Sequence, residues 1–105
     1  MDKKAVVKIL SQFRAILKAK GIRISKLILF GSYAAGNDRE GSDIDVVVIS
    51  RDFIGKNYWE RIEILSDAIY EIFQPIEAIA MTPDEWKEGN SPIIEFAKNG
   101  EIVES

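Results

Sequence analysis

The stretch GSYAAGNDREGSDIDVVVIS, residues 31–50, decides how this chain is read. It follows an apolar run, KLILF (26–30), and places three glycines in a short connection. It then puts Asp43 and Asp45 at the head of a β-branched run, DIDVVVIS (43–50), that reads as a buried strand. Carboxylates are costly to bury unless a cation or a hydrogen-bond donor holds them. The run is apolar on both faces, which predicts a central rather than an edge strand. The loop between the two strands is too short for a parallel crossover through a full helix, so the strands are expected to pair antiparallel.

The rest of the chain supplies layers for that hairpin. Residues 3–20 space Val6, Ile9, Leu10, Phe13, Ile16 and Leu17 as one helix face, with Gly21 as the stop. Residues 57–73 repeat Tyr58, Ile62, Leu65, Ile69 and Ile72 on a second helix face. Asn57 with Glu60 resembles a capping box, and Pro75 lies just beyond the helix. PIEAIAM (75–81) reads as a third strand. In TPDEW, Thr82 serves as N-cap, Pro83 opens the helix and Glu85 closes the box. SPIIEFAKNG adds a short helix with Ser91 as cap and Gly100 as stop, and EIV (101–103) an edge strand. The expected fold is α+β, a mixed sheet flanked by helices, in one domain spanning residues 1–105.

Composition narrows the chemistry. Apolar residues make up 47% and charged residues 30%, as in ordinary globular proteins. No apolar run approaches the roughly 20 residues of a membrane span. The N-terminal MDKKAVVKILSQF turns polar too soon for a signal peptide. A cytoplasmic location is the resulting expectation. The chain has no Cys and no His, so thiolate and imidazole chemistry are excluded. What remains is carboxylates, hydroxyls, Lys, Arg and a hard, oxygen-loving metal. Residues 1–26 hold eight basic residues against one acidic, a charge of +7; residues 27–105 hold six against sixteen, −10. The basic N-terminal helix reads as a solvated face, or as a handle for an acidic partner or an RNA backbone, and the acidic remainder argues against a general nucleic-acid grip.

Side chains alternate along a strand, so Asp43 and Asp45 are expected on one side, about 7 Å apart. Two carboxylates at that spacing suit Mg²⁺ or Mn²⁺, and Mg²⁺ commonly takes substrate phosphates as further ligands. Gly31-Ser32, at a strand end and before the helical YAA, offers backbone N–H groups and a hydroxyl to such phosphates. Ser32 alone also reads as a plain helix N-cap. Arg39 and Arg51 lie close enough in sequence to reach phosphates, and each also reads as a surface charge.

Gly-Ser, ten residues, then Asp-x-Asp between apolar strands resembles the signature of the polymerase-beta-type nucleotidyltransferases, over Leu27 to Ile49. The short length and the C-terminal half resemble the minimal nucleotidyltransferase (MNT) branch. The resemblance implies that Gly31 and Ser32 bind the triphosphate of ATP, and that Asp43 and Asp45 bind Mg²⁺ (or Mn²⁺). It implies a third carboxylate on the strand after the long helix, which maps to Glu77. Asp43, Asp45 and Glu77 would then form the catalytic and metal-binding set. Glu77 stands where many members carry Asp, and Ala35 where many carry Arg. The MNT branch often pairs with a HEPN-domain ribonuclease toxin encoded nearby. The resemblance therefore implies an antitoxin that transfers AMP from ATP to a toxin hydroxyl, plausibly of a Tyr. The alternative is a non-catalytic antitoxin that binds and occludes the toxin with a vestigial nucleotide site.

Overall fold

The computed structural model describes residues 1–103. Helix α1 (Lys3–Ala19) leads into strand β1 (Lys26–Phe30), the one-turn helix α2 (Ser32–Ala35) and strand β2 (Ile44–Ile49). A 3-10 turn (Arg51–Phe53) precedes helix α3 (Tyr58–Ile72), strand β3 (Ile76–Met81), helices α4 (Pro83–Glu88) and α5 (Pro92–Ala97), and strand β4 (Glu101–Ile102). The sheet runs β3-β2-β1-β4, which makes β2 central as its two-sided apolar pattern requires. β1 pairs antiparallel with both β2 and β4. β2 and β3 are parallel, because the 15-residue α3 carries the chain back to the starting edge.

Alternation along the strands sorts the core into two layers. Ile44, Val46 and Val48 of β2 face α1 and α3, where Val6, Leu10, Phe13, Leu17, Leu65 and Ala68 close the larger cluster. Val47 and Ile49, with Ile28, Phe30 and Met81, face Ile94 and Ala97 of α5 in a smaller one. Asp45 belongs by alternation to this second, thinner face.

Local signals place most helix ends. Asn57 and Glu60 form the predicted capping box at α3, and Thr82 and Glu85 the one at α4. Asp2 caps α1 by accepting from the Ala5 N–H at 2.8 Å. One local expectation holds in position only, and two fail. Ser91 is the N-cap of α5, but its side chain makes no cap bond. Tyr58, expected on the buried stripe of α3, is 67% exposed, because the contact face of that helix centres on Leu65 and Ala68. Gly100 lies beyond the C-cap Lys98 and serves close packing instead. A Cβ there would strike the Leu29 carbonyl and sit 2.9 Å from Ile28 Cγ2.

Arg61 locks the β2–α3 connection to α4. Its Nε donates to the Lys56 carbonyl at 2.9 Å, Nη2 to the Phe53 carbonyl at 3.1 Å and Nη1 to Glu85 Oε1 at 2.6 Å. The guanidinium also lies 5.9 Å from the Phe53 ring centroid. Removing it leaves two carbonyls and a carboxylate without their partner, so Arg61→Ala is expected to cost about 2 kcal/mol. The Arg61 hydrogen bond holds the Glu85 carboxyl below its ordinary 4.5. A lowered acid stabilises the fold above its unfolded value and loses that contribution as pH falls through the folded value. The stability gap between wild type and Arg61→Ala, followed by thermal melts across pH, should therefore narrow below pH 4.5.

Candidate functional site

The site forms where β1 ends and β2 and β3 begin. Phe30 opposes Asp45 across the antiparallel pair, and Asp45 opposes Glu77 across the parallel one. This register places the last residue of β1, the second of β2 and the second of β3 in one row, with Gly31-Ser32 directly after it.

Gly31 adopts φ +74°, ψ −153°, a region open essentially to glycine. Its missing side chain matters twice. A Cβ on Gly31 would fall on Asp45 Oδ2 and lie 3.1 Å from its Cγ. The Asp45 carboxylate thus rests against the bare Cα of the Gly-Ser turn, and the turn and the Asp-x-Asp segment form one contiguous surface. Gly31 occupies the N-cap position of α2 with no side-chain cap bond, so Ser32 is the first helical residue rather than a cap. The turn is held by the Ala35 N–H donating to the Gly31 carbonyl and the Asn37 N–H to the Ser32 carbonyl, both at 3.0 Å. Further on, Ser42 Oγ accepts from the Arg39 N–H at 2.8 Å, closing the loop before Asp43.

The three carboxylates are not equivalent. Asp45 is half-buried, and Asp43 and Glu77 are exposed. Burial first, then hydrogen bonding and charge from Glu77, then the charge of Asp43, push the Asp45 carboxyl from 3.8 to about 6. Asp43 stands one residue outside β2 and acts on Asp45 through space. The Ile44 N–H between them donates to the Pro75 carbonyl at 2.7 Å, which pins the start of β2 against the approach to β3. Among the described residues, no three acidic side chains converge closely enough to hold one ion together. The structure therefore brings Asp45 and Glu77 side by side and leaves Asp43 at the rim.

The donor chemistry still fits a hard divalent cation. All the candidate ligands are oxygens, and Mg²⁺ is commonly held by one or two carboxylates with waters and substrate phosphates filling its shell. Burial first, and then the neighbouring carboxylates, disfavour the Asp45 anion, and a bound cation would offset both. An acid whose folded pKa is raised destabilises the fold as pH climbs from the unfolded value to the folded one. The metal-free chain should thus lose stability between pH 3.8 and about 6. Asp45→Asn should recover about 1 kcal/mol at neutral pH, a figure discounted for solvent screening. Calorimetric melts in EDTA at pH 4 and pH 7.5 check this: an equal Asn-for-Asp effect at both pH values contradicts it.

Beside the turn lies an open cavity of about 550 Å³, lined by Gly31, Ser32, Asn37, Ile93 and the 73%-exposed Phe96. Ala35 lines it too, so the position that lacks Arg faces space next to the turn. Asn37, Ile93 and Phe96 carried no signal in the sequence; Asn37 comes with the loop after α2, and the packing of α5 over β1 brings the other two. Arg51 is not part of this end. It follows β2 and lies at the far end of the sheet from Asp45.

Residues 10–99 match the family described as the nucleotidyltransferase domain. A protein of Methanocaldococcus jannaschii named "putative protein adenylyltransferase" is 39% identical over 72 residues, which cover 68% of this chain and 48% of that protein. The chain thus spans about half the length of that relative. A crystal structure from Sulfolobus solfataricus, described as "a putative nucleotidyltransferase", superposes with a TM-score of 0.70 at 17% identity, over 93% of this chain and 78% of that one. That likeness establishes the shared fold. With a matched span of this length and the Gly-Ser turn set against an acidic strand pair, the chain belongs to the nucleotidyltransferase domain family.

Proposed function

We propose that this chain is a Mg²⁺-dependent protein adenylyltransferase that uses ATP. The observation that carries the reading is the contact of the Asp45 carboxylate with the bare Cα of Gly31. It puts a carboxylate pair, Asp45 with Glu77, within one residue of a turn able to take phosphates. Gly31 and the Ser32 hydroxyl would hold the triphosphate, and Asp43, Asp45 and Glu77 would hold the ion. A bound divalent ion would supply charge neutralisation at the phosphates and orientation of the attacking and leaving oxygens. In the transfer itself, the acceptor oxygen forms a bond to the α-phosphorus. The bond from that phosphorus to the bridging oxygen breaks, pyrophosphate leaves, and the acceptor proton passes to Glu77.

The acceptor we infer is a hydroxyl, plausibly of a Tyr, on a HEPN-domain ribonuclease toxin, which the modification would silence. The basic α1 suits an acidic protein partner. The name borne by the Methanocaldococcus relative agrees with a protein acceptor. A second reading is favoured by Asp43 standing apart from the other two carboxylates. In it the chain neutralises the toxin by occlusion, and its nucleotide site is vestigial.

Intact-mass measurement separates the two. The neighbouring HEPN protein, incubated with this chain, ATP and Mg²⁺, should gain mass in whole AMP units, and Asp45→Asn should abolish the gain. An inhibited toxin of unchanged mass would overturn the catalytic reading.

A further inference from the structure

The largest cavity described, about 690 Å³, lies on the same face of the sheet as Asp45 but at the opposite end. Its floor is apolar: Ile49, Ile94 and the half-buried Trp86. Its rim carries Lys26, Arg51, Lys87 and Lys98. This is a concentration of cations in an acidic chain whose residues 27–105 hold only six Lys and Arg, three of them here. Lys98 pairs with Glu95 at 2.8 Å, whereas Lys26, Arg51 and Lys87 have no ion-pair partner among the described residues. Arg23, beside Arg51 on the adjoining surface, is engaged by Asp52 at 3.8 Å.

Charge, shape and floor each restrict the occupant. Three uncommitted cations around one concavity call for a multiply charged anion. Arg and Lys together suit a phosphate, the Arg as a planar fork and the Lys as point charges. The volume lies in the range of small-ligand sites and far exceeds that of a lone phosphate. An indole with aliphatic neighbours accepts a flat aromatic group by stacking. An acidic peptide would satisfy the rim and leave the floor uncovered. From these features we propose a second binding site, for a phosphorylated nucleoside, either a free nucleotide or the phosphorylated end of an RNA strand.

The site is separate from the one described above. Ile49 is four residues beyond Asp45 on β2, so the two lie about 13 Å apart along the strand. Val47 and Ile28, covered by Ile94 and Ala97, fill the space between them. The proposal therefore stands whether or not the Asp45 end catalyses transfer.

Trp86 makes the test direct. Trp59→Phe removes the one other Trp, which is 72% exposed on α3. In this background, titrations with AMP and with 5′-phosphorylated oligoadenylate are made in EDTA, which silences any metal-dependent site. Saturable quenching of Trp86 is expected, unchanged by Asp45→Asn. The double variant Arg51→Ala, Lys87→Ala should weaken it by about tenfold or more, while keeping its thermal midpoint. Tighter binding of the oligonucleotide would point to an RNA end, and tighter binding of AMP to a free nucleotide; either upholds the site. Quenching lost in Asp45→Asn would place the nucleotide at the other end of the sheet and overturn the proposal. Equal quenching by unphosphorylated adenosine, equal competition by polyglutamate, or no saturable response to either probe would overturn it as well.

Discussion

Asp45→Asn is expected to lower nucleotidyl transfer on the order of 10³-fold, about 4 kcal/mol of transition-state stabilisation. The substitution keeps volume but exchanges one carboxylate oxygen for an NH2 and removes the charge on the one carboxylate that touches both Glu77 and the Gly-Ser turn. The loss should appear in kcat with the fold intact, since the same change removes a half-buried charge that Glu77 and Asp43 also crowd. An enzyme less active and yet no less stable is the signature of a group retained for chemistry against its folding cost. Steady-state transfer of labelled AMP, read beside a thermal melt in EDTA, checks both halves. A variant that retains wild-type transfer would remove Asp45 from the catalytic set. Asp43→Asn should cost less, because Asp43 sits at the rim and is more exposed.

Gly31→Ala carries the second large effect, on both stability and activity. At φ +74°, ψ −153° an alanine pays backbone strain of about 1–3 kcal/mol. Its Cβ would also occupy the place of the Asp45 carboxylate oxygen, forcing the acid off the turn. A total of about 3 kcal/mol is expected, a drop in melting temperature of more than 10 °C for a chain this size. Transfer should fall at least as far as in Asp45→Asn. The double variant Gly31→Ala, Asp45→Ala distinguishes the two causes. It should recover the part of the stability loss due to the clash and leave the part due to strain. Strictly additive losses would show that the two residues do not meet.

Features that depend on neighbours a few residues apart were legible in the chain itself. Both capping boxes, at Asn57–Glu60 and Thr82–Glu85, are read from spacing and occur as read. β1 and β2 pair antiparallel, as expected of a glycine-rich connection that holds one helical turn and no full crossover helix. The central place of β2 follows from its lack of a polar face. The candidate site too was visible in outline, as a Gly-Ser turn, an Asp-x-Asp and an acid in the strand after the long helix, of which the fold brings Asp45 and Glu77 together beside the turn.

Other features depend on how layers settle against one another. Tyr58 keeps helical spacing with Leu65, but it stands on the first turn of α3, away from the buried Leu65 and Ala68, and stays in solvent. Asp43 keeps strand spacing with Asp45, but β2 begins one residue too late to carry it. Arg51 is twenty residues from Gly31 in sequence, yet a full strand length divides it from the turn and gives it to a different cavity. Periodicity, caps and loop lengths act locally, and so the kind and order of the elements and the residue types available for chemistry can be read from the chain alone. That Asp45 stands beside Glu77 and against Gly31 emerges only on folding, because the register is set by the parallel return of β3 through α3, a contact between strands that no local signal encodes.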